Sequence, residues 1–273
     1  MNVPTEAELK GFQATIYNYY HQNRRSFPWR ETTNPYYILV SEIMLQQTQT
    51  GRVVEKYLGF LEAFPTVQDL AQASGVELLS KWQGLGYNRR ALNLQKAAQK
   101  IVAEHGGEVP SRVDELDDLP GIGVATASAI AAFAFQRPVS FIETNIRRVY
   151  IHFFFPEAET VHDKELMPVI EQTVDLKSPR DWYYALMDYG AMLPRQVANP
   201  NRKSKHYTRQ STFAGSNRQA RGQIIAYLLK NKQVSKEQLG QDLSLGPEKT
   251  ATLLLQLTKE GFIKEEREVY QLI

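Results

Sequence analysis

Apolar residues return every three or four positions along most of this 273-residue chain, the spacing of helices that bury one face. Leu9, Phe12, Ile16 and Tyr20 mark the first such helix. Asn34-Pro35 supplies a cap and a first-turn proline for a second, running to about Gln47. Further helices are predicted over roughly 50–63, 66–73, 75–81, 88–105, 124–135, 145–153, 163–173 and 180–191. Strand signals occur only at the far C-terminus, and there is no solenoid repeat. The fold class is therefore all-α, with length enough for two domains or for one domain and an appendage.

Composition removes several kinds of function. No apolar run approaches the roughly 20 residues of a membrane span, and the polar start MNVPTEAELK lacks a signal-peptide pattern. A cytoplasmic protein without a membrane partner is expected, nucleoid-associated if the source is prokaryotic. Cysteine is absent, which removes disulfides, thiolate-held iron–sulfur clusters and cysteine-containing zinc sites. The five histidines form no HxH or HExxH pair, so no transition metal is expected.

Net charge is only +2, but its placement is uneven. From Leu193 to Lys232 there are nine cations (Arg195, Arg202, Lys203, Lys205, Arg209, Arg218, Arg221, Lys230, Lys232) and no Asp or Glu. Clustered cations that displace counterions are the electrostatic footprint of DNA binding, although a solvated basic tether has the same composition. Beyond it, RQARGQIIAYLLKN, SKEQLGQDLS and PEKTATLLLQLTKEG read as three helices, and FIKEEREVYQLI as two short strands. That is a winged-helix order. Its third helix carries Glu248 and Glu260, so docking on the main domain or a protein is weighed equally with groove reading.

Two stretches carry chemistry. In LPGIGVATASAIAAFAF a short helix ends, Gly121 and Gly123 permit a tight turn with positive φ, and a helix of small residues follows. The amides of this turn and of the helix start suit a phosphate oxygen, a way of holding a DNA backbone without reading its sequence. In SEIMLQQTQT a carboxylate and three amides stand on what otherwise reads as a buried helix. Glu42 shares a face with Ile38, Leu39 and Leu45, and apolar surroundings raise a carboxyl pKa towards the range of a general acid at neutral pH. The plain alternative is a buried tie between Glu42 and an arginine such as Arg30.

FPWR, NPYYILVSEIMLQQTQ, WQGLGYNRRALNL, LPGIGVATASAI, ETNIRRV and MDYGAM, in this order, resemble the helix–hairpin–helix DNA glycosylases. Within them, SEIMLQQTQ is most similar to adenine DNA glycosylases of the MutY type. The resemblance covers about residues 8–195. It implies a two-lobed all-α glycosylase domain (1–195), here followed by a basic linker (196–215) and a small winged-helix-like domain (216–273). It further implies double-stranded DNA with a mispaired or damaged base as partner, and a base flipped out of the stack. Glu42 then corresponds to the acid that protonates adenine, and Arg30 to a base-pocket residue. Gln46, Gln47 and Tyr87, with Thr48 beside them, correspond to the wedge that enters the stack. Gly121 and Gly123 correspond to the phosphate hairpin, where a monovalent cation is left open, and Asn145 to the neighbour of the second carboxylate.

Four departures from that pattern matter. The second carboxylate is Glu143 where the family has aspartate; its extra methylene displaces the charge, and Thr144 is expected to take over the helix cap. Ala125 stands where the lyase branch has its Schiff-base lysine, so strand cleavage is not expected. LPRQVANPNRKSKHYTRQ replaces the four-cysteine cluster loop, so no cofactor is expected there. The C-terminal domain by which the family senses 8-oxoguanine is not expected in the piece after the linker, which is too short and differently patterned. A mismatch thymine/uracil glycosylase and a non-catalytic sensor of distorted DNA remain as alternatives to adenine excision.

Overall fold

A computed structural model describes residues 4–208 and 212–273. Its helices are α1 (Glu6–Asn23), α2 (Pro35–Leu45), α3 (Thr50–Ala63), α4 (Val67–Gln72), α5 (Gly75–Trp82), α6 (Arg89–Glu104) and α7 (Val113–Asp117). They continue with α8 (Val124–Phe135), α9 (Thr144–Phe154), α10 (Asp163–Thr173), α11 (Pro179–Met192), α12 (Asn217–Asn231), α13 (Lys236–Asp242) and α14 (Pro247–Lys259). Three short strands, β1 (Gln233–Ser235), β2 (Ile263–Glu266) and β3 (Val269–Leu272), form one antiparallel sheet in the order β1-β3-β2. The helical periodicity is thus realised as an all-helical protein with a small C-terminal sheet. β1 was not legible, because three residues between two helices carry no alternation.

The starts of the helices follow local chemistry. Asn34 Oδ1 accepts the amides of Tyr36 and Tyr37 at 3.0 and 3.2 Å and so opens α2. Thr5/Glu8, Thr66/Asp69 and Ser74/Glu77 form reciprocal capping boxes on α1, α4 and α5. On α13, Ser235 and Gln238 have the same spacing but form only half of such a box. Ser235 accepts the Gln238 amide at 3.2 Å, while the Gln238 side chain donates onward to Asp242.

Two compact units result: Met1–Glu42 with Pro110–Asp118 and Ile122–Arg209, and Ile43–Val109 with Leu119–Gly121 and Gln210–Ile273. In the first, Phe12, Ile16, Tyr150 and Trp182 form an aromatic-rich core, with the Phe12 ring 5.2 Å from Tyr150 and 5.7 Å from Trp182. The small residues of α8, among them Ala127, Ser128, Ala131 and Ala132, are buried as α8 packs on α7 and α11. α11 comes still closer to α9. A Cβ on Gly190 would lie 2.5 Å from the Asn145 carbonyl oxygen, so only glycine allows this approach.

The basic segment after α11 holds definite contacts. The Asn201 side chain is buried and donates to the Thr144 carbonyl at 2.8 Å, and Asn199 accepts from Arg148 at 3.1 Å. Val161 bridges to Ser204, which fastens the connection between α9 and α10 to the same segment. A thiolate-held cluster does not fit these residues, since the chain has no cysteine and amides and hydroxyls take its place. Arg209, counted in the basic run, and Gln210 and Ser211 of the expected linker lie outside the described residues.

In the second unit the C-terminal module shares a core with the helices before it. Leu79 of α5 is buried among Ile224, Ile225, Leu228, Leu253 and Leu257. A Cβ on Gly75 would fall 2.0 Å from the Ile273 carbonyl oxygen, so the C-terminus lies directly on the start of α5. Glu260, one of the acids that argued against groove reading by α14, accepts ion pairs from Arg89 at 2.9 Å and Arg221 at 2.6 Å. Its charge fastens the module to α6.

Candidate active site

Glu42 projects from α2, where Ile38, Leu39, Val40, Ile43 and Met44 are all buried. Only Leu45 of the expected apolar face is less than buried. Burial pushes the Glu42 carboxyl up to about 8; the charge of Glu143 adds to this and that of Arg30 opposes it. Glu42 and Glu143 therefore share an electrostatic environment within one unit although a hundred residues separate them in sequence. A carboxyl with this titration is protonated at neutral pH and able to give up a proton there.

Glu143 is the N-cap of α9. Its Oε1 accepts the Asn145 amide at 2.6 Å and the Ile146 amide at 2.9 Å, while Oε2 lies 3.5 Å from Asn145 Nδ2. The expectation that Thr144 would cap the helix is corrected: the longer side chain curls back far enough for its own carboxylate to do so. Burial raises the Glu143 pKa, and the two amides, with Arg148 and Arg147, pull against that rise. Asn145 is held in turn by Arg148, whose Nη1 donates to Asn145 Oδ1 at 2.9 Å and also to the Gly190 carbonyl.

Arg30 is buried, and the carboxylate it pairs with is Asp188 of α11, by two hydrogen bonds of 2.9 Å. Asp188 also accepts from Arg25 at 2.6 Å, and the Arg30 guanidinium lies 4.4 Å from the Tyr184 ring centroid. The buried tie considered for Glu42 thus belongs to Asp188. Burial raises the Tyr184 pKa; the charge of Arg180 opposes this and that of Glu42 adds to it. Asp188 and Tyr184 were missed at the sequence level. The signal for Asp188 was present in MDYGAM, an acid inside an otherwise apolar helix.

The glycines of the hairpin differ. Gly121 has φ of +80°, and a Cβ there would lie 2.6 Å from that of Asn93, so glycine is required twice over. Gly123 is in extended backbone as the N-cap of α8, with φ of −104° and open space around it. The expectation of positive φ at Gly123 is corrected, because a helix cap needs the extended conformation. Gly123, Val124 and Ala125 are exposed, which leaves the first amides of α8 facing outward.

Gln46, Gln47, Thr48 and Tyr87 lie on two turns of the second unit. Gln47 and Tyr87 both hold left-handed backbone, at φ of +56° and +48°. Such residues cost about 1–3 kcal/mol each and persist only where their surroundings fix them. Arg90 does the fixing. Its Nη1 donates to the carbonyls of Ile43, Met44 and Gln46 at 2.9, 2.8 and 2.7 Å, and its Nη2 to Thr48 Oγ1 and the Gly86 carbonyl at 3.0 Å. One buried guanidinium thus joins the turn after α2 to the turn before α6. Sequence reasoning had no means of finding it, since GYNRRALNL offers two arginines and nothing to choose between them.

A helix–hairpin–helix carried by an all-helical scaffold, with a raised carboxyl near a second acid, defines the class of base-excising DNA glycosylase folds. Residues 40–172 match the HhH-GPD superfamily base excision DNA repair proteins. The chain is 37% identical over 197 residues to the adenine DNA glycosylase of Homo sapiens, covering 68% of this chain and 36% of that one. It is 34% identical over 232 residues to the adenine DNA glycosylase of Mycolicibacterium smegmatis, covering 78% of each. Its structure is similar to that of a thermostable thymine-DNA glycosylase, with a TM-score of 0.66 at 30% identity over 72% of this chain and 92% of that one. The chain belongs to the HhH-GPD superfamily of base excision DNA repair proteins. It spans about half or less of the length of several adenine glycosylases that it matches, and 36% in the human case.

Proposed function

We propose that this protein is a monofunctional DNA glycosylase that hydrolyses the N-glycosidic bond of mispaired adenine, opposite 8-oxoguanine or guanine, after flipping it from double-stranded DNA. One arrangement carries the reading: Glu42, half-buried on the apolar helix α2, lies within electrostatic reach of both Glu143 and Arg30, and its carboxyl is pushed up to about 8. Protonation of the adenine ring by Glu42 makes the base a neutral leaving group, and the C1′–N9 bond breaks with its electron pair going to the base. Glu143 stabilises the resulting oxocarbenium ion and helps water attack C1′, a division of labour between two carboxyl groups known from glycoside hydrolysis. Arg30, fixed by Asp188, is assigned to the wall of the base pocket. Gln46, Gln47, Thr48 and Tyr87 fill the stack once the base has left it, and the hairpin holds the phosphate backbone. Ala125 offers no amine for a Schiff base, so the strand stays whole.

The test is release of adenine from A:8-oxoguanine, A:G and A:C duplexes, with strand breaks developed only by alkali and no covalent complex trapped by borohydride. A protein that binds these duplexes without releasing adenine contradicts the proposal and favours a sensor. The similarity to a thymine-DNA glycosylase over 92% of that chain makes T:G and U:G duplexes the necessary comparison. Release of pyrimidine alone assigns the same chemistry to a different base.

A further inference from the structure

The wedge tyrosine is held by two arginines. The Arg90 guanidinium lies 5.6 Å from the Tyr87 ring centroid, and that of Arg218, from the first turn of α12, lies 4.9 Å from it. Arg218 also donates a hydrogen bond from Nη1 to the Tyr87 hydroxyl. The series extends outward on both sides: Arg90 lies 5.4 Å from the Trp82 ring and Arg218 5.4 Å from that of Phe213. Rings and cations thus alternate from the core of the second unit to its C-terminal module. A cation over an aromatic face is attractive, more so when partly desolvated, and Arg218 is half-buried.

Gln46, Gln47, Tyr87 and Arg218 line one cavity of about 460 Å³. Arg221, one turn further along α12, is committed to Glu260, whereas Arg218 is committed to the wedge. Tyr87 holds left-handed backbone, which persists only where its surroundings fix it.

We propose that Arg218 is a positioning residue for Tyr87, and that the C-terminal module is thereby part of the base-extruding machinery rather than an appendage for recruiting partners. This rests on the assignment of Tyr87 to the wedge. Arg90 ties the ring to the turns it joins, and Arg218 holds the ring and its hydroxyl from α12. The pair keeps the ring raised before DNA arrives, so the ordering cost is not incurred during extrusion.

The experiment uses the full-length chain and an A:G duplex with 2-aminopurine beside the target adenine, at saturating protein. Arg218→Ala slows the fluorescence rise that reports extrusion by roughly tenfold, the weight of one partly desolvated cation–ring contact. Arg218→Lys, which keeps a cation over the ring, recovers most of that rate. An extrusion rate for Arg218→Ala equal to that of the parent overturns the proposal. So does a defect confined to affinity and salt dependence, which identifies Arg218 as a phosphate contact only. Failure of the excision reading is seen separately, as a parent that raises the fluorescence without releasing adenine; the Arg218 comparison still decides.

Discussion

Glu143 caps the helix whose first turn holds Asn145: its Oε1 accepts the Asn145 amide at 2.6 Å, while Oε2 lies 3.5 Å from the Asn145 side chain. The carboxylate thus has one oxygen bound to the helix N-terminus and a second beside the amide of its neighbour. A glutamate, one methylene longer than aspartate, serves as the cap in this way. The extra methylene is taken up by curling towards the helix.

Glu143→Gln separates the cap from the charge, because the amide oxygen can still accept both backbone protons. The melting temperature is expected to fall by only a few degrees, while the excision rate falls about 100- to 1,000-fold, the usual loss when one preorganised electrostatic group is removed. Single-turnover rates and thermal melts on the same preparation check both halves.

The acidity of Glu42 gives a pH dependence with a definite sign. The proton it must donate is present below about pH 8 and lost above it, so excision declines as pH rises through that value. Glu143→Gln removes a charge that raises the Glu42 pKa, and so moves this limb to lower pH. Stability follows the same proton. The unfolded carboxyl titrates near 4.5, so between about 4.5 and about 8 the folded chain holds a proton that the unfolded chain has released. Stability from this group is complete below 4.5 and is lost as pH rises through 8. Glu42→Gln is expected to abolish excision, to leave the melting temperature unchanged near pH 5 and to raise it near pH 8.

Gly190→Ala tests the close approach of α11 to α9. In an ordinary helix this change stabilises by roughly 1 kcal/mol. Here the new Cβ would meet the Asn145 carbonyl oxygen at 2.5 Å and the Asn145 Cβ at 2.7 Å, so the backbone beside Glu143 has to move. Destabilisation is expected instead, with an excision loss of about 100-fold, the scale of a displacement near an ångström at a reacting group.

Arg90→Lys tests the joint between the wedge turns. Arg90 serves carbonyls on both turns with a planar fork, which one ammonium cannot match. Each carbonyl left buried and unpaired costs about 1–3 kcal/mol. Faster hydrogen exchange at residues 46–48 and 86–88 is expected, with a lowered melting temperature. The burial that pulls the Arg90 pKa down to about 10 leaves the group charged at neutral pH, so the bonds themselves do not vary there.

The helices were legible because each announces itself locally, through periodicity, a cap or a proline, and α3, α8 and α10 run as their spacing implies. Glu42 and the two glutamines stood out by being polar where their surroundings are apolar, and Glu143 was reached through the family resemblance alone. What escaped was whatever depends on distant partners. Asp188 takes Arg30 across 158 residues, Arg218 reaches Tyr87 across 131, and Glu260 uses its charge to dock a module. Gly190 looked like any helical glycine until the Asn145 backbone was placed against it. No local pattern encodes such pairs, because the residues meet only after the chain has folded.

The most direct measurement is single-turnover release of adenine from A:8-oxoguanine and A:G duplexes by the parent and by Glu42→Gln, from pH 5 to pH 9. The account predicts excision by the parent that declines above about pH 8, and none by the variant although it still binds. Equal release by both proteins, or a parent whose rate climbs steadily through pH 8, would contradict the assignment of Glu42 as the proton donor.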